Sequence, residues 1–234
     1  MRRIFAVILC AALLVLPVRA EAAPKYAALT FDDGPSGRFT RRLLDGLAAR
    51  QVRATFMLCG YRIADYPGEA RRIWEEGHEI AIHGYSHNSM CAMTKQQIVR
   101  EIENTVSRLP EGCAPVFLRP PGGLCSDAVN AAAKEMGLAV LTWSVDPKDW
   151  ATHDTDAIVR RVTQQTKDGD VILLHDMSDS SVDAALQIID ILSRQGFRFV
   201  TASELAARRV NSVIPGQVYC RVPEFGVCIQ WGWD

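Results

Sequence analysis

Short apolar runs and longer amphipathic stretches take turns along this chain. Tyr26-Ala27-Ala28-Leu29 opens the series and predicts a buried strand. Residues 39–50 follow, with Leu43, Leu44 and Leu47 at helical spacing. Ala54-Thr55-Phe56-Met57-Leu58 predicts a second strand, and residues 67–76 a helix that Gly77 ends. A third strand is expected at 79–82. Thr94 then predicts an N-cap, with Gln97 three residues on and Ile98, Ile102 and Val106 along one face. Further strands are expected at 115–118, 138–142, 171–174 and 197–200. Further helices are expected at 126–136, between Ser126 as cap and Gly137 as stop, and at 156–166, 182–194 and 203–209.

This alternation implies parallel strands joined by right-handed crossovers, hence an α/β fold. Seven or eight such units suit a compact (β/α) barrel, with an open doubly wound sheet as the alternative. Both architectures gather function in the loops at the C-terminal ends of the strands.

The two ends of the chain lie outside that series. Arg2 and Arg3, the apolar stretch 4–17 and the small-residue patterns around Ala20 and Ala22 are the marks of a secretory signal peptide over residues 1–23. The apolar stretch is short for a membrane span, so no span is expected in the mature chain. An exported protein, periplasmic or extracellular, follows from this reading. The repeating units then occupy 24–209, and 210–234 is an extension. Within the extension, Val218-Tyr219-Cys220-Arg221 and Gly226-Val227-Cys228-Ile229 suggest a disulfide-closed hairpin, with Trp231 and Trp233 beyond it. Those rings would either stack on sugar faces or pack the hairpin onto the domain. Leaving aside Cys10 in the leader, Cys59, Cys91, Cys113, Cys125, Cys220 and Cys228 form an even set, as expected of disulfides in an exported chain. Local spacing favours Cys220–Cys228 and Cys113–Cys125, leaving Cys59–Cys91, among fifteen pairings that six cysteines allow. The chain has 48% apolar and 23% charged residues and a net charge of −1, which predicts a packed core and gives no electrostatic footprint for nucleic acid or anionic lipid.

The residues that follow each apolar run carry the chemistry. Thr30-Phe31-Asp32-Asp33-Gly34-Pro35 ends the first run with two adjacent carboxylates and a turn. Asp-Gly-Pro is ordinary turn chemistry, but paired carboxylates repel and favour a nearby cation or basic group. His83 and His87, four residues apart, follow the third run. By themselves they read equally well as surface histidines; with an acid from the first run they form a tripod that leaves a coordination position open. Arg119-Pro120-Pro121-Gly122-Gly123 follows the fourth run, Asp146, Asp149 and Trp150 the fifth, and His175 and Asp176 the sixth. Such convergence at one end of a sheet is more specific than any single motif.

These five motifs resemble those of the polysaccharide deacetylases, metal-dependent N-deacetylases of chitin-like and peptidoglycan sugars. The resemblance spans residues 30–175 and implies a distorted (β/α) barrel. It implies that Asp33, His83 and His87 hold a divalent metal, zinc first, with cobalt, nickel or manganese as alternatives. It implies that Asp32 is the general base, paired with Arg119, and that His175 is the general acid, paired with Asp149. It places the backbone N–H of Gly122 as an oxyanion donor and Leu173 in the acetyl pocket; Trp150 either lines that pocket or belongs to the core. The expected partner is an N-acetylated glycan and the expected state a monomer. An O-deacetylase of acetylated xylan and an inactive carbohydrate-binding homologue are the alternatives. Two departures stand out. Gly84 occupies the position of a Ser or Thr whose oxygen braces the ligand loop, and Gly122 replaces an aromatic that would stack on the groove wall. Among the other polar residues, His78 reads as structural, His153 as solvated, Asp146 equally as a turn cap or as a residue that orients a ligand, and Asp176 as a partner for backbone near His175.

Overall fold

The computed structural model describes residues 23–210 and 212–220. Eight parallel strands form one curled sheet: β1 (Lys25–Asp32), β2 (Thr55–Leu58), β3 (Glu79–Ile82), β4 (Phe117–Leu118), β5 (Ala139–Leu141), β6 (Val171–His175), β7 (Phe197–Phe199) and β8 (Val218–Tyr219). The order runs β6-β1-β2-β3-β4-β5-β8, with β7 on β1. Past β5 the chain returns to the other edge of β6, where Val145 bridges Ile172. This closes the ring at that level into a distorted (β/α) barrel, while β7 on β1 and β8 on β5 leave the rest of it irregular.

Among the described residues eight α-helices connect the strands: α1 (Arg38–Arg50), α2 (Gly60–Asp65), α3 (Pro67–Glu75), α4 (Lys95–Val106), α5 (Asp127–Glu135), α6 (Thr155–Gln165), α7 (Asp179–Arg194) and α8 (Ala202–Ala207). The expected Thr94 cap forms a full capping box with Gln97, and Ser126 caps α5. The period of two along each strand sorts the core into layers. Leu29, Phe31, Phe56, Leu58, Ile172 and Leu174 face the outer helices. Ala28, Met57, Ala81, Phe117, Leu141 and Val171 face inward, with Leu205 of α8 plugging the lower end. Each large apolar side chain so buried contributes roughly 1.5–3 kcal/mol. The same alternation carries Thr30, Asp32, Arg119, Leu173 and His175 onto the inner face, above this plug. Strand register sets Asp32 directly beside His175.

Three expectations change. The segment 60–65 is a short helix with no apolar period to announce it. Val218–Tyr219 belongs to the main sheet, parallel to β5, and the domain therefore extends past residue 209. The rest of the expected hairpin, with Cys228, Trp231 and Trp233, lies outside the described residues, as do residues 1–22 of the leader. Two of the disulfides drawn from spacing, Cys59–Cys91 and Cys113–Cys125, do not form: Cys59, Cys91 and Cys113 are free thiols, while the Cys220–Cys228 pairing lies outside the described residues. Cys59 is buried at the end of β2, whereas Cys91 is exposed, with its Sγ at 3.4 Å from the Leu124 carbonyl. Cys113 and Cys125 flank β4 at opposite ends, so nearness in sequence does not bring them together. Among the described residues no helix is long and apolar enough to cross a membrane.

Candidate active site

The site is built on the inner face where the strands end. Asp32 is the last residue of β1, and Asp33 begins the turn with φ 72°. The turn can pass here because Gly34 has no Cβ: one would lie 2.6 Å from Asp176 Oδ1. His83 follows β3 and is buried; its Nδ1 is 2.8 Å from the Arg119 carbonyl oxygen, which aims Nε2 at the site. His87, at φ 61°, brings its Nε2 within 2.9 Å of Asp33 Oδ1, and His83 Nε2 lies 3.3 Å from the same oxygen. Left-handed backbone at Asp33 and His87 costs of order 1 kcal/mol or more each, which marks both positions as held by their surroundings.

The ligand atoms of Asp33, His83 and His87 lie within 4.8 Å of one another. Asp33 Oδ1 is buried yet makes no hydrogen bond of ordinary geometry. A buried, unsatisfied carboxylate oxygen faced by two imidazole nitrogens fits a borderline divalent cation. Burial works to raise the Asp33 pKa, but the two imidazoles outweigh it and hold the carboxyl well below the usual range. Asp33 is therefore anionic at any working pH, as a carboxylate able to hold a cation must be.

Two further pairs flank this tripod. Arg119 is wholly buried, and every guanidinium nitrogen has work to do: Nε donates to the Leu141 carbonyl (2.9 Å), Nη2 to the Thr142 carbonyl (2.7 Å), and Nη1 to Thr30 Oγ1 (2.8 Å) and Asp32 Oδ1 (2.6 Å). A fixed guanidinium so placed holds the Asp32 carboxylate in one orientation. Its other oxygen, Oδ2, is 3.6 Å from His83 Nε2, beside the tripod rather than within it. On the other flank, Asp149 accepts from the His175 backbone N–H and lies 2.8 Å from His175 Nδ1 with its second oxygen. Burial would lower the His175 pKa; the bond to Asp149 and its charge override this and raise it to about 9. His175 Nε2 then points across the site, 3.9 Å from Asp33 Oδ2.

Leu173 lies buried on the inner face, one inward position below His175. Gly122 sits in an exposed turn at φ 71°, and Trp150, beside Asp149, is 52% exposed, a rim position rather than a core one. His153 is exposed. His78 is buried with Nδ1 accepting the Ala54 N–H. Asp146 caps its turn through the Lys148 N–H, and Asp176 is buried, with the Thr40 hydroxyl as well as its own backbone N–H donating to its side chain. Glu101 was not foreseen. From α4 its Oε2 accepts from the Tyr85 and Ser86 N–H groups (2.8 Å each) and from Ser86 Oγ (3.0 Å). It thus braces the loop that Gly84 leaves without a side-chain oxygen. A Cβ on Gly84 would lie 3.4 Å from this carboxylate and 2.9 Å from Met90 Cε, so the glycine and the brace fit each other. A lone Glu on an amphipathic helix carries no local signal of such a role.

Fold and site together define a distorted (β/α) barrel whose strand ends converge on a candidate cation site of three residues, with an Arg-held carboxylate on one side and an Asp-held imidazole on the other. A profile of the polysaccharide deacetylase family matches residues 19–141. A peptidoglycan-N-acetylglucosamine deacetylase of Bacillus cereus is 37% identical over 187 residues, covering 77% of this chain and 88% of that protein. The chain belongs to the polysaccharide deacetylase family. It is also 37% identical over 183 residues to the peptidoglycan-N-acetylmuramic acid deacetylase PdaC of Bacillus subtilis, covering 77% of this chain and 38% of that longer protein. The solved structure of a family 4 acetyl xylan esterase from Clostridium thermocellum, in complex with a cobalt ion, superposes with TM-score 0.78 at 32% identity, covering 86% of this chain and all of that one.

Proposed function

We propose that the protein is an exported, metal-dependent hydrolase that removes N-acetyl groups from glycans containing N-acetylglucosamine, releasing acetate and a free amine. The observation that carries this reading is the placement of a base and an acid on opposite sides of one candidate cation site. Asp33, His83 and His87 would hold the divalent ion, zinc first among the candidates. When bound, the ion supplies polarisation of the acetyl carbonyl and a lowered pKa for water in the site.

The chain's own residues do the rest. Asp32, anchored by Arg119 through one oxygen, keeps the other free to take a proton from the attacking water. An amine is a poor leaving group and must be protonated as the carbon–nitrogen bond breaks. His175 holds that proton on Nε2 because Asp149 stabilises the imidazolium. Leu173 gives the acetyl methyl an apolar floor, and the Gly122 N–H is the candidate donor to the developing oxyanion, a contact worth about 3–4 kcal/mol in such sites. Trp150 offers its exposed face to a sugar ring at the rim.

A second reading, O-deacetylation of acetylated xylan, is favoured by the likeness to the acetyl xylan esterase. Acetate release from N-acetylglucosamine oligomers, peptidoglycan and acetylated xylan, with and without chelator, separates the two. Faster release from the amide substrates is expected. Release from xylan alone selects the ester reading, and release from none of the three substrates contradicts both.

A further inference from the structure

Beside the site, the guanidinium of Arg62 is left unmatched among the described residues. Arg62 stands in the first turn of α2, which is stitched to both ligand loops. The Cys59 N–H donates to the Gly34 carbonyl, and the Gly60 and Tyr61 N–H groups donate to the Gly84 and Tyr85 carbonyls. Across the opening, Arg62 Nη2 reaches the sulfur of Met177 at 3.5 Å, two residues beyond His175. Its guanidinium thus spans the rim between the cation cradle and the acid's loop. Tyr61 and Tyr66 hold the guanidinium carbon 5.8 and 5.2 Å from their ring centres. Among the described residues Arg62 makes no ion pair, Asp65 on its own helix included, and its Nε is buried without a hydrogen-bond partner. A thioether is a weak acceptor and cannot satisfy a guanidinium. Tyr61 and Met177 beside it are 38% and 39% exposed, so the position is open to a ligand.

We propose that Arg62 is a carboxylate-binding subsite at the rim, selecting glycans in which a sugar next to the acetylated one carries an acid group. The planar fork suits a carboxylate far better than the hydroxyls of a neutral sugar. The inference rests on the glycan deacetylase reading above and narrows its substrate. Two sources fit the chemistry: the lactyl carboxylate of a muramic acid residue and the carboxylate of a uronic acid.

The test uses the full chain and its Arg62→Met and Arg62→Lys variants. Three disaccharides serve as probes: neutral N-acetylglucosamine dimer, N-acetylglucosamine with N-acetylmuramic acid, and N-acetylglucosamine with glucuronic acid. Binding is followed by tryptophan fluorescence and turnover by acetate release, with thermal melting as the control for folding. Arg62→Met is expected to weaken binding of an acidic disaccharide, and to raise its KM, by about tenfold or more, with kcat within twofold. The neutral dimer should change by less than about twofold, and Arg62→Lys should recover part of the loss, as a retained point charge without the fork allows. Whichever acidic disaccharide shows the effect identifies the source. Equal changes for neutral and acidic sugars, or none, overturn the proposal. If the wild type binds the sugars but hydrolyses none, the deacetylase reading fails while the binding data still decide the role of Arg62.

Discussion

Replacing Asp149 by Asn removes one charge from the site and leaves its shape. The asparagine oxygen can still accept the His175 backbone N–H, and its amide would face Nδ1, disfavouring the imidazolium. His175 stands at about 9 because Asp149 outweighs burial. Without that charge it should fall to the ordinary value near 6.5 or below. At pH 8 the protonated fraction drops from about 90% to about 3%, a loss of about 30-fold in available acid. At pH 6 the same change costs less than about twofold. The assay is kcat/KM for acetate release from an N-acetylglucosamine oligomer between pH 5.5 and 9.5, using metal-loaded protein. Wild type should lose activity only as pH rises through about 9, and the variant should lose it at least two units earlier. A variant slowed by one factor at every pH, or one whose basic limb does not move, would refute the assignment of His175 as acid and Asp149 as its support.

Other outcomes follow from the same geometry. Asp32→Asn should reduce turnover by at least about a hundredfold, the range of a lost general base, while metal content measured by emission spectroscopy stays at wild-type level. Glu101→Ala should leave the ligands in place but loosen their loop, weakening metal affinity by about 10–100-fold in a competition titration with a chromophoric chelator. His78 is held neutral by burial, its pKa lowered to about 4, whereas the unfolded chain protonates this residue near 6.5. Its contribution is present above pH 6.5 and lost as pH falls toward 4. Denaturant unfolding should therefore show wild type losing about 2–3 kcal/mol more than His78→Gln between pH 6.5 and 4.5. Asp176, whose burial raises its pKa to about 6, acts in the opposite direction in both proteins and cancels in the comparison.

The strands and their order along the chain were legible because each is an apolar run closed by turn chemistry. The polar residues that follow those runs had to meet, since parallel strands end on one side of a barrel. Asp33, His83 and His87 converge for that reason, and Asp32–Arg119 and His175–Asp149 pair across it. What escaped depends on long-range contact without local pattern. The helix at Gly60–Asp65 has no amphipathic period, and β8 is two residues long and is defined only by its pairing with β5. Cysteine spacing misled because β4 separates Cys113 from Cys125 along its own axis. Glu101 is an ordinary helix residue until α4 docks it under the His83–His87 loop.

Metal content set against activity tests the central claim most directly. Purified protein should carry about one divalent ion per chain, the number a single tripod can hold. Dialysis against a chelator should abolish acetate release and metal add-back should restore it. Asp33→Ala and His87→Ala chains should fold but neither bind the ion nor recover. Full acetate release from metal-free protein, or undiminished metal binding by both variants, would contradict the account.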